Sequence, residues 1–170
     1  MTDFAFVVYG DPVPQGSARS FIPKGWTRPI VTDSNAKLKP WRQAVMAGAV
    51  ETRLRAQTSA LTGPVELTVT FYVPRPKSAK KIAQPTKRPD LSKQLRALED
   101  ALTGVLFEDD AQVTTAIARK VYAGGHEDFG ERFGQAPIPR AEVRVRPDPG
   151  GFVSLVRSAR PVTVVTNGVA

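Results

Sequence analysis

Residues Lys87 to Val113 read KRPDLSKQLRALEDALTGVLFEDDAQV, and this stretch decides the fold. It opens on a Pro-Asp step, Pro89-Asp90, and closes on an acidic pair, Asp109-Asp110. Between them Leu91, Leu95, Leu98 and Leu102 recur at helical spacing, which predicts a helix over 91–102 with its leucines toward the core. At about 100° per residue, Ser92, Lys93, Arg96, Glu99 and Asp100 lie opposite those leucines. Thr103-Gly104 stops the helix. Acids at both ends and bases between them suit metal-assisted attack on a phosphodiester. That chemistry needs an activated water and neutralised phosphate charge, and Mg²⁺ held by one or two carboxylates supplies both. A helix, a turn and an antiparallel return are expected to bring Asp90 toward Asp109 and Asp110.

The flanks of this stretch give the rest of the domain. Residues 65–73, VELTVTFYV, alternate with Val65, Leu67, Val69, Phe71 and Val73 on one face, as in a half-buried strand. Residues 4–9, FAFVVY, read as a first strand, and Val113 to Ala123 and Ala141 to Val145 as two later ones. Ile22, Ile30 and Val31 suggest short strand pieces. From about Asn35 to Arg55 the period is helical. Leu38, Trp41, Val45 and Ala49 share a face that Met46, Val50 and Leu54 widen. Asp33 and Ser34 are its candidate N-caps, and Pro40 fits only near its start. Beyond Pro147 the chain is punctuated by Pro and Gly, with Phe152–Val156 and Val162–Val165 as candidate late strands. The order β, α, β, α, β, β predicts an α+β (mixed α/β) domain, one mixed sheet with two main helices packed on it. That domain is expected over 1–147, with 148–170 as a C-terminal extension.

Composition narrows the partner. The 170 residues carry a formal charge of +8, with a sequence pI near 10.1, which favours an anionic partner and nucleic acid first. The absence of cysteine excludes disulfides and thiolate metal sites, and the single His126 excludes a multi-histidine zinc site. The N-terminus MTDFAFVVYGDP lacks the features of a signal peptide, and no apolar run reaches membrane-spanning length, so a soluble cytoplasmic protein without membrane contact is expected. Between Pro74 and Pro89 lie Arg75, Lys77, Lys80, Lys81, Lys87 and Arg88 with no acid. This arm, with Arg19 and Lys24 of the preceding Gly/Pro-rich loop, is read as tracking DNA phosphates.

Each of these residues also has a structural reading. Asp is a preferred helix cap, which suits Asp90, and Asp109-Asp110 suit a turn. Asp100 is four residues from Arg96 and suits a surface ion pair. Trp41 belongs to the apolar helix face, Trp26 is read as structural, and His126 as exposed and chemically idle. It is the joint spacing of these features that favours chemistry over structure alone.

That joint pattern resembles the RusA family of Holliday junction resolvases, of phage and prophage type. The family pattern runs basic-Pro-Asp-x-Asp-Asn, then a Lys, an Asp-Ala-Leu and an Asp-Asp-x-Gln-Val. Pro89-Asp90, Arg96, Asp100-Ala101-Leu102 and Asp109-Asp110-Ala111-Gln112-Val113 fall on it. Gly10-Asp11-Pro12-Val13-Pro14, with Gly16 and Arg19, resembles the family's opening Gly-x-Pro-x-Pro loop. Roughly residues 4 to 122 are covered. The resemblance implies a homodimeric endonuclease of DNA recombination and repair that binds branched DNA. It would cut a four-way junction symmetrically with Mg²⁺, or Mn²⁺ as substitute. Asp90, Asp109 and Asp110 would hold the metal, and Lys93 and Arg96 would stabilise the scissile phosphate. The family's second acid is Ser92 here, its following Asn is Lys93, and its helix Lys is Arg96, which keeps charge but changes geometry. Glu99 lies about 10 Å beyond Ser92 along the helix and does not simply replace that acid. Three readings stay open. Asp90, Asp109 and Asp110 suffice; or Glu99, Asp100 or Glu108 contribute through water; or the chain binds branched DNA with weak or no catalysis. An RNA-binding module is a further alternative, without an RNP-type or Gly-x-x-Gly motif to support it.

Overall fold

The computed structural model describes residues 3–16, 18–33, 35–79, 84–124 and 138–150. Its elements, in chain order, are β1 (Phe4–Tyr9), β2 (Ala18–Phe21), β3 (Ile30–Asp33), α1 (Leu38–Arg55), β4 (Val65–Val73), α2 (Leu91–Leu102), a 3₁₀ turn (Asp110–Gln112), β5 (Val113–Tyr122) and β6 (Arg140–Pro147). The architecture is α+β, as the sequence predicts. One four-stranded mixed sheet has the order β1-β6-β4-β5, and a separate hairpin pairs β2 with β3.

The alternation in β4 explains why this strand is central. Val65, Leu67, Val69, Phe71 and Val73 are all buried, so one face is continuous core. β4 pairs parallel with β5 and antiparallel with β6, and β6 pairs antiparallel with β1. The inward face packs with Leu38, Trp41, Val45 and Ala49 of α1 and with Ala97, Leu98, Ala101 and Leu102 of α2 in one cluster. On the outward face, Tyr72 packs with Val121 and Ala123 beneath the Arg140 guanidinium, 3.6 Å from its ring centroid. Arg146 pairs with Glu66 at 2.8 Å, and Arg144 hydrogen-bonds Asp3 at 2.9 and 3.0 Å. Gly48 of α1 lies against Phe6 of β1. A Cβ there would stand 3.0 Å from the Phe6 ring, so glycine sets how closely this helix approaches the sheet.

Several local expectations are corrected. The N-cap of α1 is Lys37, without a side-chain cap, rather than Asp33 or Ser34. Asp33 is instead the last residue of β3, paired with Ala18, and Ser34 lies outside the described residues. Asn35 organises the turn, its Oδ1 accepting from the Lys37 amide at 3.2 Å. Met46 and Leu54 are exposed and do not widen the buried face. In α2 the buried stripe is Gln94, Ala97, Leu98, Ala101 and Leu102, with Leu91 and Leu95 only partly buried beside it. The candidate strands at 152–156 and 162–165, and His126, lie outside the described residues.

Candidate active site

α2 starts where the chain leaves Pro89 and ends where it meets Gly104. Asp90 is its N-cap by position, with extended backbone angles, yet its carboxylate makes no capping hydrogen bond. Capping therefore does not account for this aspartate. The side chain is half-exposed, with Lys93 Nζ 3.9 Å away. Gln94 explains how the neighbouring loop is fixed. It is fully buried, and its Nε2 donates to the Pro12 carbonyl at 3.0 Å. The Gln15 amide donates to the Lys93 carbonyl at 2.9 Å. The Gly10–Gly16 loop is thereby fastened onto the first turn of α2. A cavity of about 480 Å³ lies between them, lined by Pro14, Gln15, Gly16, Arg88, Pro89, Asp90 and Lys93. The Arg88–Pro89 bond is cis.

Lys120 on β5 grips the same segment from the other side. Its Nζ donates to the Pro89 carbonyl at 2.6 Å and to the Lys87 carbonyl at 3.0 Å. Sequence reasoning missed this residue, because two backbone carbonyls brought over from another element leave no spacing signal. Gln94 was missed for the same reason, masked by the leucine stripe around it.

The acidic pair after α2 divides its labour. Asp109 caps the 3₁₀ turn in a capping box with Gln112, its Oδ1 accepting from the Ala111 amide at 2.8 Å. The Gln112 side chain accepts from the amides of Glu108 and Asp109 and donates to the carbonyls of Leu61 and Gly63. The Asp-Asp-x-Gln spacing thus builds a turn and ties it to the segment before β4. Asp110, the next residue, is exposed. Glu99 feels it: burial raises the Glu99 carboxyl above its ordinary range, the Asp110 and Asp100 charges add to this, and Arg96 opposes it. Asp100 pairs with Arg42 of α1 rather than with Arg96 as the sequence suggested. Ser92, Lys93 and Arg96 are exposed on α2.

Within one chain Asp90 and Asp110 stand at opposite ends of α2. Lys120, which reaches Pro89, lies far along β5 from Val113, which follows the 3₁₀ turn. That stretch of strand spans roughly 23 Å at about 3.3 Å per residue. The return expected after α2 is present, but it carries Asp110 to the far end of the helix. Among the described residues no group of three or more His, Asp or Glu side chains is close enough to hold a metal ion. The Asp90 carboxylate, which caps nothing and faces the Lys93 ammonium, still fits a hard cation that takes one or two carboxylates and completes its shell with water.

Of the cations assigned to DNA, Lys24, Lys77, Lys87 and Arg88 are exposed. Arg75 is half-buried, its Nη1 donating to the Gly124 carbonyl at 3.3 Å. Arg19 lies in β2, opposite Thr32. Lys80 and Lys81 fall outside the described residues. Trp41 is core, whereas Trp26 is exposed, as are Phe21 and Ile22. No helix among the described residues is long and apolar enough to cross a membrane.

Comparison with known proteins defines the class. Residues 10–127 match the family described as Endodeoxyribonuclease RusA. A protein of Bacillus subtilis (strain 168), carrying the name "Uncharacterized protein YqaN", is 33% identical over 152 residues, covering 83% of this chain and 94% of the relative. This chain belongs to the RusA endodeoxyribonuclease family.

Proposed function

We propose that the protein is a divalent-metal-dependent endodeoxyribonuclease that resolves four-way or other branched DNA by paired cuts, working as a homodimer. The observation that carries this reading is Asp90: an aspartate at a helix N-terminus that does not cap the helix, in a cavity it shares with Arg88 and Lys93, in a chain of the RusA family. The Asp90 carboxylate and Asp110 would hold Mg²⁺ or Mn²⁺, with Asp109 fixing the turn that presents Asp110. When bound, the metal would supply an activated water and offset phosphate charge. Lys93 and Arg96, exposed on α2, would meet the scissile phosphate. Lys87, Arg88, Arg75, Lys77 and Lys24, with Arg19, Lys80 and Lys81, would follow the DNA backbone. The nuclease domain would span 1–147. An extension over 148–170 would be fastened at its first residue, where the Asp148 carboxylate accepts from the hydroxyls of Thr114 and Thr115.

The two ends of α2 bear on the dimer. A two-fold that sets α2 antiparallel to its copy brings the Asp110 end of one protomer beside Asp90 of the other, and makes two equivalent sites. On this reading a metal site is shared between protomers, and the symmetry matches the paired strands of a four-way junction.

The test is nicking of a synthetic four-way junction with Mg²⁺, with EDTA and with Asp110→Asn. Cleavage that ignores EDTA and survives Asp110→Asn would overturn the reading. The alternative, a branched-DNA-binding protein with weak or no catalysis, rests on Ser92 in place of a family acid. It predicts tight junction binding without nicking, and a large gain in rate from Ser92→Asp.

A further inference from the structure

A second cavity lies on the other side of the Arg88–Pro89 segment. It has a volume of about 400 Å³, and Arg88 and Pro89 line it as they line the Asp90 cavity. Its walls are apolar, built from Pro74, Pro76, Pro85 and Pro89 with Tyr122 at the end of β5. The charged residues lining it, Arg75, Lys87 and Arg88, are all cations. The Arg75 guanidinium lies 6.0 Å from the Tyr122 ring centroid. Tyr122 and the walls of Pro74, Pro76 and Pro85 do not line the Asp90 cavity and are not needed to hold a metal or meet a phosphate there.

We infer that this cavity receives one unpaired nucleobase of the DNA, the base adjoining the phosphate held at the Asp90 cavity. The inference rests on the proposed nuclease reading and deepens it. An unstacked base is flat and largely apolar, and it seeks an aromatic face and close apolar walls in exchange for the stack it leaves. Its own sugar-phosphate is anionic, which matches a lining with three cations and no acid. A nucleotide also has the right shape for two adjoining cavities, since its base and its phosphate leave the sugar in different directions. Arg88 and Pro89 form the partition between them. At the crossover of a branched molecule a base is available at less cost than inside a duplex, because its stack is already interrupted. The cavity would therefore favour branched over linear DNA without reading a long sequence. Lys120 reinforces the partition by holding the Lys87 and Pro89 carbonyls.

The test uses binding in EDTA, so that it does not depend on catalysis. A series of four-way junctions, each with one abasic site at a nucleotide flanking the crossover, is titrated with the parent protein at fixed salt. One abasic position is expected to weaken binding about 5- to 150-fold, the range of a lost base–aromatic stack. Tyr122→Leu, which keeps apolar bulk on the strand, is expected to weaken the intact junction by a similar factor and the abasic junction hardly further. Tyr122→Phe, which keeps the ring, should bind like the parent, and a Phe variant as weak as Leu would overturn the inference. Losses that simply multiply, or an abasic series that is flat, would overturn the inference while leaving the nuclease reading intact. A parent that does not prefer the junction over a linear duplex would overturn both.

Discussion

The ammonium of Lys120 donates to the Pro89 carbonyl at 2.6 Å, so a residue of β5 holds the segment that delivers Asp90. Lys120→Met removes a charged donor from two carbonyls, one part-buried at Pro89 and one exposed at Lys87. A hydrogen bond to a charged group contributes about 1.5–3 kcal/mol, which in a chain of this size lowers Tm by roughly 3–10 °C. Junction nicking at saturating substrate is expected to fall at least about ten-fold. Unchanged turnover with a lowered Tm would show that Lys120 supports the fold and not the site.

Gln94 offers a similar comparison inside the core. Gln94→Ala strands the Pro12 carbonyl and opens space in a fully buried position. A stranded buried acceptor costs about 1–3 kcal/mol. Gln94→Leu fills the space and also removes the amide oxygen, which has no hydrogen-bond partner. Thermal unfolding should therefore rank the parent above Leu and Leu above Ala. An Ala variant as stable as the parent would mean that the loop does not depend on this anchor.

The shared-site reading has a strict consequence for mixed dimers. Asp90→Asn and Asp110→Asn homodimers should each fail to nick. A mixed dimer of the two, isolated with separate tags, would lose both acids in one shared site and keep both in the other. It should regain nicking of one strand, at about half the parent rate. If both acids served from the same chain, the mixed dimer would stay inactive.

Glu99 provides a pH signature. Burial and the neighbouring carboxylates favour its neutral form in the folded chain. Its contribution to stability is therefore full below the unfolded value near 4.5 and is lost as pH rises through the raised folded value. Glu99→Gln should raise Tm by a few degrees at most at pH 7, and this gain should vanish below about pH 4. A gain that persists unchanged at pH 4 would contradict the burial and charge argument.

Salt tests the basic arm. Each phosphate contact adds a slope of about −0.9 to the dependence of log affinity on log salt. Lys87→Ala with Arg88→Ala should flatten the slope by nearly two contacts, roughly 1.8. An unchanged slope would take these two cations off the DNA.

Much of this was legible in the sequence, for reasons that can be named. The alternation of Val65 to Val73 and the leucine spacing of α2 are local signals that long-range packing reinforces. The fold class follows from them. The pairing partners were not legible: nothing in FAFVVY says that it will meet RAEVRVRP across the length of the chain. Asp33 looks like a cap and is a strand end, because the β2–β3 hairpin uses it first. Asp109 and Asp110 look alike in sequence, and only the turn separates the one that caps from the one that does not. Lys120 and Gln94 act through backbone carbonyls of distant segments, a kind of contact that residue spacing does not encode.

The last described strand, β6, is not at the margin of the sheet but between β1 and β4. During synthesis, the first strand emerges long before its neighbour exists, and β4 waits for the same late partner. Contacts of such long sequence separation form slowly, after local helices. The sheet therefore remains split until Pro147 has left the ribosome, and premature stops anywhere before it should give no nuclease at all.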